Sequence, residues 1–271
     1  YIVNKSTKYS IDEINCSLLH CFDLDFEQIV KLNPYEMDDI VSKKLDYLEE
    51  IEILRDLYDV FRKKFSYWLI EQLKITVCPY CNREYIFKIK NTKKDETKIL
   101  ATFDHFYSKS EYPYLAVSFY NLIPSCSICN SKFKHTKAFS IKTHIHPYID
   151  DFNKLSKFKL QIEKSEFYYK KDGFHLELET YDERAKNSKS VFRLGELYQN
   201  HKDIVLELIQ KSVIYNDSYI DELMSKYEGT LFKNREDLIR NITCGYVSDD
   251  DLHKRPLSKL VKDISEELNL I

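Results

Sequence analysis

Glycine and proline are scarce in this chain, with 4 Gly and 6 Pro among 271 residues. A sandwich or barrel with many tight turns needs more of both, so the scarcity favours a helix-rich α+β protein with a small β portion. No apolar run reaches 18 residues, so no transmembrane helix is expected. The start, Tyr1-Ile2-Val3-Asn4-Lys5, has no signal-peptide apolar core, which points to the cytoplasm. It also lacks Met, so a few residues are expected to be missing from this end. An excess of positive charge is absent too. Lys and Arg number 41 against 44 Asp and Glu, a net charge of −3. Nothing therefore attracts nucleic acid globally, and any phosphate contact must come from a local basic patch or a partner. The length suits one large domain or two smaller ones.

Seven cysteines are present, and four of them form two Cys-x-x-Cys pairs, Cys78/Cys81 and Cys126/Cys129. Without a secretion signal, such pairs indicate metal binding rather than disulfides. Two thiolates three residues apart bite one Zn2+ from a tight turn, and two pairs close a tetrahedral site with no position left for water. The metal should be structural. Four free buried thiols are the plain alternative, and a redox role fits less well because a thioredoxin-type site needs one pair only. Cys16, Cys21 and Cys244 are left over and expected to be buried apolar residues.

Three regions follow from the patterning. Residues 1–77 are expected to be helical, most clearly from Leu45 to Leu73, where Leu48, Ile51, Leu54, Tyr58, Phe61, Phe65, Trp68 and Leu69 recur at helical steps as a core stripe. Arg62, Lys63 and Lys64 are expected to form a solvated face, with contact to a backbone phosphate as the alternative. Residues 78–150 change character. A strand is expected over Glu84 to Lys90 with Tyr85, Phe87 and Ile89 on one side, then an exposed loop rich in lysine (Lys88, Lys90, Lys93, Lys94, Lys98), a strand over Ile99 to Phe103, and a short helix over Asn130 to Lys137. In residues 151–271, two strand-like runs flank a turn at Lys171-Asp172-Gly173, and helices return at His201 to Ser212 and Asp217 to Tyr227.

The 53 residues from 78 to 130 hold the chemistry. Asp104 and His105 follow an apolar strand and point to opposite sides of it. A neutral imidazole can take a proton from water at physiological pH. A carboxylate and an amide oxygen are hard ligands suited to Mg2+ or Mn2+. Asn130 follows the last cysteine directly, so zinc binding would fix where it points.

These elements, Asp104-His105, Asn121-Leu122 and Cys126-Ser127-Ile128-Cys129-Asn130, resemble the HNH endonucleases of the ββα-metal (His-Me finger) superfamily, in particular those framed by two Cys-x-x-Cys pairs. The resemblance covers residues 78–137. It implies a central zinc-stapled ββα-metal module that hydrolyses phosphodiester bonds in nucleic acid, DNA rather than RNA. It makes His105 the general base that activates water. It makes Asp104 and Asn130 the ligands of a catalytic Mg2+ or Mn2+, and gives Asn121 the task of tying the loop and orienting His105. One departure stands out. Some members carry a second His ligand four residues after the Asn130 position, where this chain has Lys134. Lysine is not a ligand for such an ion, so water fills that place or Lys134 contacts phosphate. The helical flanks resemble the organisation of nuclease subunits in bacterial anti-phage defence systems of the Septu type, where a partner ATPase controls cutting. A non-catalytic zinc-stapled adaptor that binds nucleic acid or protein is the competing reading.

Other candidates have bland explanations. Lys132, Lys134, His135, Lys137 and Lys142 could neutralise phosphates, and a solvated helix face explains them equally well. His144 and His146 read as a packed loop more readily than as metal ligands. Tyr107, Tyr112, Tyr114 and Tyr120 could stack on bases, though among 21 tyrosines core packing is the simpler expectation. Asp249, Asp250 and Asp251 read as a solvated loop rather than a second metal site.

Overall fold

The computed structural model describes residues 10–43, 49–91 and 96–271. Residues 1–5, Leu48, Lys93 and Lys94 lie outside the described residues, and so does the side chain of Ile51. The protein is α+β, with helices and small antiparallel sheets. It divides into two compact units, one of residues 1–75 and 86–150, the other of 76–85 and 151–271.

The first unit opens on α1 (Ile11–Phe22), α2 (Phe26–Lys31) and α3 (Pro34–Val41). Each begins with a reciprocal cap: Ser10 with Glu13, Asp25 with Gln28, Asn33 with Glu36. In each pair the cap side chain accepts a backbone N–H of the first turn, and the residue three further on accepts the cap's own N–H. The expected single helix is two, α4 (Glu49–Lys64) and α5 (Ser66–Leu73), broken at Phe65. The stripe bends with the break, so Leu54, Leu57, Tyr58 and Leu69 are buried while Trp68 is exposed. Arg62, Lys63 and Lys64 are solvated, as their charge requires.

β1 (Lys88–Asn91) and β2 (Glu96–Ile99) pair in a hairpin. The expected stripe is corrected here: Tyr85 and Ile89 are exposed and Phe87 is half-buried, because Ile86 supplies the apolar contact instead. β3 (Thr102–His105) and β4 (Leu122–Ser125) form a second antiparallel pair, followed by a π-helix over Ile128–Lys134. That helix starts earlier and ends sooner than the expected 130–137.

In the second unit, β5 (Ser156–Ile162) and β6 (Phe174–Thr180) pair over seven residues, burying Phe158, Leu160, Phe174, Leu176 and Leu178 on one face. The connection is longer than a two-residue turn. Two short 3-10 turns fill it, and Gly173 passes so close to Phe167 that a Cβ there would lie 2.6 Å from its Cα. The helices α6 (Glu183–Val191), α7 (Leu194–Tyr198), α8 (Lys202–Ile214), α9 (Asp217–Tyr227), α10 (Arg235–Thr243) and α11 (Ser258–Glu267) complete the unit. α11 caps the free edge of β5: Asp263 accepts Phe158 N–H at 2.8 Å and Glu267 accepts Leu160 N–H at 3.0 Å. Carboxylates thus occupy edge donors that would otherwise template another strand. The segment 76–85 is a tight turn in which Cys78 N–H donates to Glu84 O and Asn82 N–H to Cys78 O. Asn82 ties it to the chain near α11, donating to Leu252 O and accepting from Lys259 N–H. Tyr198 donates its hydroxyl to Cys81 O at 2.6 Å.

The remaining cysteines are not core residues. Cys16 and Cys244 are exposed and Cys21 is half-buried. Cys16 lies on the solvent side of an amphipathic helix, and Cys244 is the left-handed cap that ends α10. Among the described residues, no helix is long and apolar enough to cross a membrane.

Candidate active site

The four paired cysteines come together. One sulfur from each of Cys78, Cys81, Cys126 and Cys129 lies within 4.8 Å of the others, and all four residues are buried. A zinc ion bound at ~2.3 Å to each sulfur sets the sulfurs roughly 3.8 Å apart, which the 4.8 Å limit on the four sulfurs accommodates. Cys129 N–H donates to Cys126 Sγ at 3.4 Å, a bond that favours a thiolate there. The donor set suits a structural metal such as zinc.

The catalytic candidates lie on β3, β4 and the π-helix. In the β3–β4 register Asp104 faces Ile123 and His105 faces Leu122, so both candidates stand at the end of the pair where the loop begins. The amide of Asn121, fully buried, closes this loop from inside. Its Oδ1 accepts Tyr107 N–H at 2.7 Å, and its Nδ2 donates to Tyr107 O at 3.1 Å and to Leu115 O at 2.9 Å. The next residue, Ala116, presents the carbonyl that meets His105 Nε2 at 2.9 Å. Asn121 therefore reaches His105 through the loop and not by direct contact.

That carbonyl decides the tautomer of His105. A carbonyl oxygen can only accept, so Nε2 carries the proton and Nδ1 keeps the lone pair. The ring packs edge-on against Tyr58, with centroids 4.5 Å apart. Burial pushes its pKa down to about 3, and the charges of Lys109 and Lys134 push the same way against the Ala116 hydrogen bond. His105 is neutral at physiological pH. Lys109 lies over the Tyr58 ring at 4.3 Å. Tyr58 itself donates to Phe103 O at 3.3 Å. Nothing in the sequence marks Tyr58, Lys109 or Ala116 as neighbours of His105, because only the packing of α4 brings Tyr58 there.

On the other face of β3, two contacts run in parallel. Asn130 Nδ2 donates to Thr102 Oγ1 at 3.1 Å, and Lys134 Nζ donates to Asp104 Oδ1 at 3.0 Å. Thr102 and Asp104 are two apart on a strand and share a face. Asn130 and Lys134 are four apart on a helix with wide π turns, marked by His135 N–H donating to Asn130 O at 2.8 Å. The structure thus brings Asp104, Asn130 and Lys134 together, but in a different relation from the one expected. Lys134 turns inward, onto the Asp104 carboxylate, rather than out to solvent. It is 3 % exposed, as is Asp104, and Nζ also donates to His105 O at 2.6 Å. The reason is electrostatic: a buried carboxylate needs a counter-charge, and Lys134 supplies it. As arranged, Asp104 and Asn130 do not fit a divalent ion, because an ammonium already holds the carboxylate and the Asn130 amide is turned to Thr102.

Among the other lysines, Lys132 and Lys137 are exposed, as is His135, and Lys142 pairs with Asp38 at 2.6 Å. His144 stacks on Phe139 at 3.8 Å, and His146, fully buried, meets Tyr120 O at 3.1 Å. Both are packed residues. Tyr107 and Tyr114 are buried, Tyr112 and Tyr120 half-buried. Asp249 bonds Asn153 and Lys262 and Asp251 bonds Lys254, so these carboxylates are paired with side chains.

Comparison with protein-family models, with curated proteins and with solved structures finds no match to this chain.

Proposed function

We propose that this chain is an endonuclease of the HNH, ββα-metal type that hydrolyses phosphodiester bonds in nucleic acid, with zinc at the four cysteines as its structural staple. The observation that carries the reading is the hold on His105: its Nε2 proton is committed to the Ala116 carbonyl, leaving Nδ1 to accept a proton. A base of this kind needs its orientation held and its tautomer fixed, and the Asn121-closed loop provides both. Water that gives its proton to Nδ1 would attack phosphorus while the bond to the leaving sugar oxygen breaks, and that oxygen would take a proton from solvent. The anionic phosphate would be met by Lys109, whose charge His105 already feels, and by the exposed Lys132. The Mg2+ or Mn2+ expected beside Asp104 and Asn130 has no part in this derivation, since Lys134 neutralises the carboxylate. That DNA is preferred to RNA, and that a partner ATPase controls cutting in anti-phage defence, belongs to the same proposal and rests on the sequence resemblance alone.

The adaptor reading has one observation on its side, the closed Asp104–Lys134 pair. Incubation with plasmid, single-stranded DNA and tRNA, each with Mg2+, with Mn2+ and with no added ion, separates the two. Cleavage of any substrate that His105→Ala abolishes supports the nuclease. Retention of the nucleic acid uncut under every condition supports the adaptor.

A further inference from the structure

A ligand set for a hard cation is made of carboxylate and carbonyl oxygens. Two such oxygens converge on one point in this protein, Asp104 Oδ1 and His105 O, and the group between them is the Lys134 ammonium, at 3.0 and 2.6 Å. The ring of Phe139 closes the third side, 4.9 Å from Nζ. An ammonium has three N–H donors and no acceptor, so two oxygens and an aromatic face satisfy it fully. The position is shut off from water, with Lys134 and Asp104 each 3 % exposed and Phe139 4 % exposed.

The backbone is built to put the ammonium there. The π-helix places Asn130 over Thr102 and Lys134 over Asp104, matching the two-residue spacing of β3 on one face. The wide turn, closed by the His135 N–H to Asn130 O bond, keeps these two side chains on one side of the helix.

We propose that Lys134 is the resident cation of the Asp104 site: its ammonium takes the place of a divalent metal ion, and Asp104 binds no such ion while Lys134 is there. A second cation at the same carboxylate would sit beside a buried positive charge with no water to screen it. It would also have to enter through a closed wall. The inference rests on the placement of Asp104, His105 and Lys134 and holds whether or not the chain cuts nucleic acid. Within the nuclease reading, it means that cleavage proceeds without added Mg2+ or Mn2+.

The test is direct binding of Mn2+, read as loss of the free-ion electron paramagnetic resonance signal, on zinc-loaded full-length protein. Wild type and Asp104→Asn should take up the same amount of Mn2+. Lys134→Met, shown to be folded by circular dichroism, should gain one Mn2+ per chain, and the double variant with Asp104→Asn should lose it again. Wild-type protein that binds one Mn2+ which Asp104→Asn removes would overturn the proposal, and this comparison does not depend on how Lys134→Met folds. A folded Lys134→Met variant with no added Mn2+ would overturn it as well. Absence of cleavage on every substrate would sink the nuclease reading and leave these binding outcomes unaffected.

Discussion

Replacing Asn121 by alanine removes a side chain that makes three hydrogen bonds to backbone groups inside the loop before β4. The residue is 0 % exposed, so water cannot take over those bonds without opening the loop. Tyr107 N–H, Tyr107 O and Leu115 O would each be orphaned in the interior. An orphaned buried backbone group costs ~1–3 kcal/mol, so the three together should cost about 3–5 kcal/mol once partial relaxation is allowed. With a urea slope of ~2 kcal/mol per molar, the midpoint should fall by roughly 2 M. The assay is equilibrium urea unfolding followed by tryptophan fluorescence. Trp68 is the only tryptophan and belongs to the same compact unit as Asn121, so the probe reports the unit that is perturbed. Asn121→Asp sharpens the test. It keeps an acceptor for Tyr107 N–H but turns an oxygen toward two carbonyls, and should destabilise at least as much. A cost below about 1 kcal/mol for Asn121→Ala would refute the reasoning, because a loop held from inside by this amide cannot lose it so cheaply.

Further outcomes follow from the same geometry. Lys134→Met alone leaves Asp104 buried without its counter-charge and should cost ~3–5 kcal/mol; adding Asp104→Asn should recover most of that loss, as measured by urea unfolding. Acidification should destabilise the protein between pH 6.5 and about 4 through His146, which burial holds down to about 4 against the pull of the Tyr120 carbonyl and Asp150. The unfolded chain takes up the proton near its ordinary pKa of ~6.5, while the folded form resists until about 4, so stability is present above that window and lost within it. The His146 share of that loss amounts to about 3 kcal/mol, and His146→Gln should remove this share while His105 and His144, also held down by burial, keep theirs. Metal analysis should find one zinc per chain. Cys126→Ser should lose it and melt at lower temperature, since a structural zinc contributes folding free energy directly.

The parts of the site carried by local pattern could be read without coordinates. The Cys-x-x-Cys spacing anticipates the cluster of four sulfurs. The strand expected over Ile99 to Phe103 is divided instead: Ile99 ends β2, and β3 begins at Thr102 and includes Asp104 and His105. The helix Asp217–Tyr227 has the limits its periodicity implies, with Asn216 as its cap. Lys134 was not legible. A lysine in a basic stretch after a motif has the same local pattern whether it points outward or inward, and only the π-helix register against β3 turns it onto Asp104. Tyr85, Phe87 and Ile89 alternate as a buried strand face would, yet the strand begins only at Lys88, Ile86 ahead of it is the buried residue, and Tyr85 and Ile89 face water. Tyr58 reads as one more core position of a helix. Its place beside His105 comes from tertiary packing, to which periodicity is blind.

The central claim is that His105 is the base of a phosphodiester hydrolysis. Its most direct test is the single-turnover cleavage rate of wild type and His105→Ala on whichever nucleic acid the wild type cuts, with equal zinc content and equal Trp68 fluorescence confirming equal folding. General-base catalysis supplies ~10²–10⁴ in rate, so the variant should be slower by at least about a hundredfold. A folded, zinc-loaded His105→Ala protein that cleaves as fast as wild type would contradict the account.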